Sequence, residues 1–341
     1  MSGKTKIKAF SSVEEIFKAF TDLRVLIIGD VMIDSYLWGK VDRISPEAPV
    51  PIVNVQKRDQ RLGGAANVAL NVQSLGAIPI LCSVIGDDMD GNNFLTLLEK
   101  SKLSKEGIIR SDARITTIKH RVISGAYHML RVDQEIDYSI NKDESKQLIN
   151  RAKKLIPDCD VVIFEDYDKG VLNKEVIEEI IAFANKNNTP TVVDPKKRNF
   201  LHYKNASLFK PNRKELKDGL KLDSDLNSLT ELQKALKSLK SNLNSESVLI
   251  TLSEKGVFID QEKEQFLIPA HVREISDVSG AGDTVISIAA LCYALRLPPK
   301  FLASLSNLGG GIVCEHIGVV PIEKSTLLKE AKKLKLFENV Y

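Results

Sequence analysis

Short apolar runs rich in Val, Ile and Leu alternate along this chain with stretches of helical period. Residues 24–29 (Arg-Val-Leu-Ile-Ile-Gly) form the first run, and 78–84, 161–164, 191–194, 208–210 and 248–252 follow. Each is short and almost unbroken in its apolar character, the pattern of a strand buried on both faces. Between the runs, residues 65–75, 91–100, 173–185, 229–239 and 281–295 place apolar side chains at helical spacing. Strand then helix at this spacing predicts βαβ units, and so an α/β fold built on a doubly wound, mostly parallel sheet with helices on both faces. Ahead of the first strand, Ser12-Val-Glu-Glu15 has the capping-box pattern for a helix carrying Ile16, Phe17 and Phe20. Residues 1–22 are therefore expected to be a helical extension, and 23–335 one main domain, because no repeat or low-complexity linker divides them.

Two segments break the alternation. Residues 36–56 contain Pro46, Pro49 and Pro51, and residues 114–132 alternate polar with β-branched positions. Both read as strand-and-loop insertions after parallel strands, where in an open α/β sheet they overhang the carboxyl ends at which ligands bind. A small β lid is expected; plain surface hairpins would leave the same pattern.

Composition narrows the function classes without choosing one. At 341 residues, 43% hydrophobic and 27% charged, the chain has ample apolar material for a large core. A formal net charge of +3, with lysines interspersed among acids, is too slight for a nucleic-acid surface. Cys82, Cys159, Cys292 and Cys314 lie far apart, mostly in apolar runs, and read as buried thiols of a reducing compartment. The first residues lack the apolar core of a signal peptide, and no apolar run approaches the roughly 18 residues of a membrane span. A cytoplasmic protein with neither membrane nor nucleic acid as partner is expected.

The candidate chemistry is concentrated at loop-to-helix junctions. Asp277-Val-Ser-Gly-Ala-Gly-Asp283 puts Gly280, Ala281 and Gly282 where a helix starts and its N–H groups are unpaired, so an anion can sit close to the backbone. Asp283 at that mouth would repel a phosphate unless it takes a proton from the group that attacks it. The pattern points to phosphoryl transfer, against a plain first-turn acid facing the helix dipole. Leu62-Gly63-Gly64-Ala65-Ala66-Asn67 lets a ligand approach the backbone, and Asn67 offers donor and acceptor to a hydroxyl-rich molecule. Asp34, soon after the first strand, suits a sugar hydroxyl, although an acid there also serves as a turn residue or cap. Asn212 and Glu215 stand one helical turn apart, a spacing that fits magnesium held through water and equally a helix cap with its capping-box glutamate. Ser2-Gly-Lys-Thr5 lacks the leading glycine and strand of a phosphate loop, and no Gly-x-Gly-x-x-Gly follows a strand. His120, His128, His202, His271 and His316 have no metal-ligand spacing, and Gly309-Gly310-Gly311 reads as close helix packing.

Together these motifs resemble the ribokinase-like (PfkB) family of sugar kinases, from about Leu23 to about Glu330. Most specific are Gly63 to Asn67, with Gly76 and Gly86 downstream, and Asp277 to Asp283. Gly29-Asp-Val-Met-Ile-Asp34, Arg43 to Pro51, Asp166-Tyr-Asp-Lys-Gly170, Asp194-Pro-Lys196 and Ser253-Glu-Lys-Gly256 narrow the likeness to kinases of heptose 7-phosphate, the kinase half of bifunctional ADP-heptose synthesis proteins. The other half of those proteins carries a His-x-Gly-His motif that this sequence lacks, so a stand-alone kinase is expected.

The resemblance implies ATP as donor and magnesium, with or without a monovalent cation. It implies Asp283 as the base toward the C1 hydroxyl of D-glycero-β-D-manno-heptose 7-phosphate, and the N–H groups of Gly280, Ala281 and Gly282 as the cradle of the transferring phosphoryl. Asp34, Gly63, Gly64 and Asn67 match the family's sugar-binding positions. Asn212 and Glu215 match its magnesium and phosphate motif, and Ser253, Gly256 and Asn307 its ATP enclosure. Leu62 stands where relatives often have proline and Ile288 where the family prefers a small residue, so packing should differ there. Lys119, Arg121, Arg131 and Lys169 are candidates for the 7-phosphate, since a sugar phosphate needs cations to offset its desolvated charge. Family lids commonly pair subunits, which implies a homodimer. Another sugar or nucleoside kinase, or a non-catalytic sensor on the same fold, are the alternatives; an intact Asp283 disfavours the sensor.

Overall fold

Each apolar run becomes a strand whose successive side chains enter different cores. A computed structural model of the chain describes residues 10–125, 127–261 and 264–340, so Ser2-Gly-Lys-Thr5 and most of the region ahead of the first helix lie outside the described residues. The strands are β1 (Arg24–Gly29), β2 (Val31–Ile44), β3 (Pro51–Gly64), β4 (Ile78–Gly86), β5 (Ile108–Ser111), β6 (Ile118–Ser124), β7 (Tyr127–Gln134), β8 (Val161–Glu165), β9 (Thr191–Asp194), β10 (Leu208–Phe209), β11 (Ser247–Thr251), β12 (Val257–Gln261) and β13 (Glu264–Ile268). The helices are α1 (Val13–Ala19), α2 (Ala65–Ser74), α3 (Met89–Lys100), α4 (Lys142–Leu155), α5 (Lys174–Lys186), α6 (Arg213–Leu220), α7 (Leu229–Leu243), α8 (Ala281–Ala294), α9 (Pro299–Val313) and α10 (Lys324–Lys333).

The larger sheet has the order β13-β12-β11-β10-β9-β8-β1-β4-β5, parallel from β11 to β5, with β12 and β13 antiparallel at one edge. Val25, Ile27, Val161, Ile163 and Val192 join the core that contains α2, α8 and α9; Leu26, Ile28, Val162, Phe164 and Val193 join the one that contains α4, α5 and α7. The alternation explains why the runs read as continuously apolar. From β1 the chain moves toward β5 on one side and from β8 toward β13 on the other, so a crevice opens at the carboxyl ends of β1 and β8.

α8 is apolar nearly all round and is covered by α9. A Cβ on Gly309 would fall 2.1 Å from Ile288 Cδ1, and one on Gly310 would fall 2.7 Å from Val285. The bare backbone of α9 is what admits the bulky Ile288. Leu62, near the end of β3, is buried in the core shared with α2 and α8.

The lid is a second sheet of order β3-β2-β6-β7, in which β2 pairs antiparallel with β3 and parallel with β6. Its strands outrun the expected 36–56 and 114–132, starting at Val31 and ending at Gly64 and Gln134. The reason is local: Asp30 alone separates β1 from β2, and Gly63 and Gly64 close β3 as paired strand residues. Gly64 has φ +61° and lies against Asp30, whose carbonyl accepts the Ala65 N–H at 2.9 Å; a Cβ would stand 2.4 Å from that carbonyl oxygen. All four cysteines are free and buried. Among the described residues no helix is long and apolar enough to cross a membrane.

Candidate active site

α8 packs over β8 and β9, so its first turn meets the carboxyl ends of the central strands. Gly280 caps it at φ +81°, a conformation that brings the loop into the helix without strain only for glycine. Asp283 lies in that turn, buried, and its carboxylate accepts Asn67 Nδ2 at 2.7 Å and Tyr167 Oη at 2.8 Å. Asn67 sits in the first turn of α2, directly after the glycines that end β3. The two glycine junctions read from sequence therefore meet at one carboxylate. Burial pushes the pKa of Asp283 up to about 6, with the Asn67 and Tyr167 donors pulling the other way. Near neutral pH it is ionised yet holds a proton better than an ordinary aspartate, the property a general base needs.

The backbone around it departs from expectation at one residue. The Ala281 N–H donates to the Val278 carbonyl at 3.3 Å and is engaged inside the turn rather than pointed outward. Asp277 fixes this turn by accepting from Ser279 N, Ser279 Oγ and Gly318 N at 3.0, 2.8 and 2.9 Å. Gly282 faces a buried ion pair: a Cβ there would lie 3.6 Å from Asp194 Oδ2 and 3.8 Å from Lys210 Nζ.

That pair, Asp194 with Lys210 at 2.8 Å, belongs to a larger cluster. Lys196 binds Glu215 at 2.8 Å, lies 3.6 Å from Asp194 and stands 5.3 Å from the centre of the Tyr167 ring. Glu165, in register with Asp194 on the neighbouring strand, is fully buried, and neither of its oxygens has a hydrogen-bond partner. Burial first, then the charges of Asp194 and Asp283, raise its proton affinity well above the usual carboxylate range. Asp194 is held below that range: burial opposes ionisation, but Lys196 and Lys210 outweigh it. Glu165 and Lys210 were not among the residues singled out from the sequence, and Tyr167, Asp194 and Lys196 stood there only within motifs that carried the likeness, with no role of their own. Their signal was there, because Glu165, Asp194 and Lys210 each put a charge at the end of an apolar strand.

Asn212 and Glu215 form a capping box on α6, with Glu215 N to Asn212 Oδ1 and Asn212 N to Glu215 Oε2 both at 2.8 Å. The cap is real, and the glutamate is drawn at the same time toward Lys196. Among the described residues no three His, Cys, Asp or Glu side chains gather to hold a metal by themselves. Glu215 and the buried Oδ1 of Asp194, which faces Lys196 at 3.6 Å without a hydrogen bond, are hard oxygen donors of the kind a divalent cation arriving with a nucleotide takes.

On the acceptor side, Asp34, Gly63, Gly64 and Asn67 are brought together. A Cβ on Gly63 would lie 2.2 Å from Asp34 Oδ2, and Asp34 accepts the Arg121 guanidinium. Arg61 and Arg121 lie 4.8 and 5.4 Å from the centre of the Tyr36 ring; Arg61 reaches the Val319 carbonyl at 3.0 Å and Tyr36 Oη takes the Val319 N–H at 3.2 Å. Lys119 and Lys169 meet at Glu135, at 3.6 and 2.8 Å. Arg131 lies opposite Arg121 in the register of β6 with the edge strand β7, 59% exposed and paired with Asp133 at 3.0 Å. On the far side, Ser253 and Gly256 form a turn at φ +54° and +89°. Gly256 lies against Pro269–Ala270, and Asn307 Nδ2 donates to the Pro269 carbonyl at 2.9 Å.

The model of the pfkB carbohydrate kinase family matches residues 22–325. Bifunctional protein HldE of Helicobacter pylori (strain P12) is 41% identical over 297 residues, covering 86% of this chain and 64% of its own length. HldE of Aliarcobacter butzleri (strain RM4018) is 42% identical over 295 residues, covering 86% and 61%. The chain thus spans less than two thirds of the length of these relatives. Among solved structures, phosphofructokinase-2 from Escherichia coli in complex with fructose-6-phosphate has a TM-score of 0.73 at 17% identity, covering 92% of this chain and 99% of that one. Arabidopsis thaliana ribokinase complexed with ribose and ATP has a TM-score of 0.70 at 13% identity, covering 90% and 99%. At those identities the likeness speaks for the fold, an α/β ribokinase-like arrangement around a large, mostly parallel sheet.

Proposed function

The chain belongs to the pfkB family of carbohydrate kinases, and on that premise we propose that its acceptor is D-glycero-β-D-manno-heptose 7-phosphate, phosphorylated at the C1 hydroxyl to the 1,7-bisphosphate on the way to ADP-heptose and the lipopolysaccharide core. As a sugar kinase it uses ATP and a divalent metal ion; we take the metal as magnesium, held through water by Asn212 and Glu215, with or without a monovalent cation. The observation that carries the chemistry is Asp283, a buried carboxylate oriented by Asn67 and Tyr167 at the glycine-led start of α8. It would accept the hydroxyl proton while the N–H groups at Gly280 and Gly282 face the transferring phosphoryl. Asp34, Gly63, Gly64 and Asn67 would bind the sugar, and Ser253, Gly256 and Asn307 would enclose the nucleotide.

What supports the acceptor is the shared motif set together with about 40% identity to the HldE proteins. A cytoplasmic homodimer joined through the lid belongs to the same reading, favoured by the exposed Tyr127, Leu130 and Val132 on β7. The test is a coupled ADP-release assay with magnesium ATP. Heptose 7-phosphate should exceed unphosphorylated heptose, ribose and fructose 6-phosphate in kcat/KM, by roughly tenfold or more if a buried charge pair recognises the phosphate. Equal or better use of an unphosphorylated sugar would return the chain to a general sugar kinase.

A further inference from the structure

Two lysines at the root of the lid share a single carboxylate. Lys119 lies on β6 in register with Asp34 and reaches Glu135 at 3.6 Å; Lys169, in the loop after β8, reaches the same carboxylate at 2.8 Å. The two lysine side chains are 14% and 17% exposed, so a pair of ammonium groups is largely withdrawn from water with one anion between them. Glu135 Oε2 has no hydrogen-bond partner. That oxygen is the one facing Lys119, so the Lys119 contact is an ion pair without a hydrogen bond, while Lys169 holds Oε1.

The lysines and the glutamate differ in how firmly they are held. The Lys169 N–H donates to Asp30 Oδ2 at 3.1 Å, flanked by donations to the same carboxylate from Tyr167 N at 2.8 Å and Val171 N at 2.9 Å. The Lys169 carbonyl accepts the Arg114 guanidinium. Its backbone is therefore pinned on both sides. Glu135 lies just beyond the end of β7, the edge strand.

We infer that Lys119 and Lys169 form the seat for the distal phosphate of the acceptor, and that Glu135 is a placeholder carboxylate which keeps the two ammonium groups together until the phosphate displaces it. This rests on the reading of the chain as a kinase of a phosphorylated sugar. Tyr167 touches Asp283 and Lys169 follows two residues later, so at most about 7 Å of backbone separates the group that orients the base from the seat. That is the scale of a sugar phosphate whose reacting hydroxyl and phosphate lie at opposite ends. Arg121 is committed to Asp34 and the more exposed Arg131 to Asp133, which leaves the two lysines that divide one carboxylate as the cations best placed to exchange partners. A dianion offers each ammonium its own oxygens, where Glu135 divides one carboxylate between them.

The test titrates heptose 7-phosphate, unphosphorylated heptose and inorganic phosphate into the chain by calorimetry, alongside steady-state kinetics. Lys119→Met and Lys169→Met should each weaken heptose 7-phosphate by roughly tenfold or more. The double variant should erase the preference over unphosphorylated heptose. Glu135→Gln, which removes the competing anion, should tighten heptose 7-phosphate severalfold, a change that misfolding could not mimic. If Glu135→Gln weakens it as the lysine variants do, the placeholder role is overturned. Unchanged affinity in both lysine variants removes the seat while leaving the kinase reading in place; failure of the wild type to bind or use any phosphorylated sugar removes both.

Discussion

The charges under α8 and the charges at the root of the lid are built from the same residue types and put to opposite uses. Beneath α8, Asp194 and Lys210 are 5% and 3% exposed and close at 2.8 Å. At the lid, Glu135 is 28% exposed and divided between two lysines. A fully buried pair is costly to break because the survivor has no water to turn to, whereas a pair that water partly reaches loses less and exchanges more readily. The first is a fixed floor beneath the start of α8; the second, on the reading proposed above, is where a ligand would compete. Burial, more than sequence, separates the two.

The largest effect should come from breaking the floor. Lys210→Met strands Asp194 and should lower the unfolding free energy by about 3–5 kcal/mol, well above the loss for Lys119→Met, whose partner Glu135 keeps access to water. Urea unfolding of both variants measures the contrast, and equal losses would abolish it.

Next in size is Asp283→Asn, which should leave nucleotide affinity nearly intact while lowering kcat by roughly 10²-fold or more, the usual scale for a general base. Near wild-type turnover would remove Asp283 from that role. The same residue gives a pH signature. With the folded pKa up at about 6, kcat/KM should fall as pH drops below that value, because the protonated acid cannot accept the hydroxyl proton. Stability runs the other way: a folded pKa raised above the unfolded value makes a contribution that is full below about pH 4 and is lost as pH rises through about 6. Asp283→Asn should therefore gain on the wild type between pH 4.5 and 7.5, by an amount on the order of 2–3 kcal/mol. A stability difference that does not change with pH would contradict the raised pKa.

The smallest effect should come from Arg131→Ala on the outer strand of the lid. Exposed and paired only with Asp133, it should change kcat/KM for the phosphorylated acceptor by less than about twofold, the range of a solvated ion pair. A tenfold loss would place Arg131 in the pocket and blur the division between the lid's inner and outer cations.

Buried parallel strands announce themselves in sequence, which is why β1, β4, β8, β9 and β11 were legible. α4 was not, because its five basic residues, Lys142, Lys146, Arg151, Lys153 and Lys154, crowd the narrow stripe of Leu148, Ile149 and Ala152. α9 was hidden by Gly309-Gly310-Gly311, a run that would normally weaken a helix and survives here because α8 packs against it. The glycine junctions of the site were legible, since close backbone approach demands glycine. The partners of Asp283 were only partly so: Tyr167 lies 116 residues away, and only the register of the sheet brings them together.

One residue, Asp30, stands between the sheet and the lid. Its carbonyl holds the start of α2, and its carboxylate holds the loop that carries Tyr167. Such a joint has no slack: a swing of β2 turns the peptide planes on either side of Asp30, and with them the loop whose tyrosine aims Asp283. Here one residue is tied to the lid's first strand, to the start of α2 and to the loop that carries Tyr167, so a substitution that frees the Asp30 carboxylate should disturb all three together.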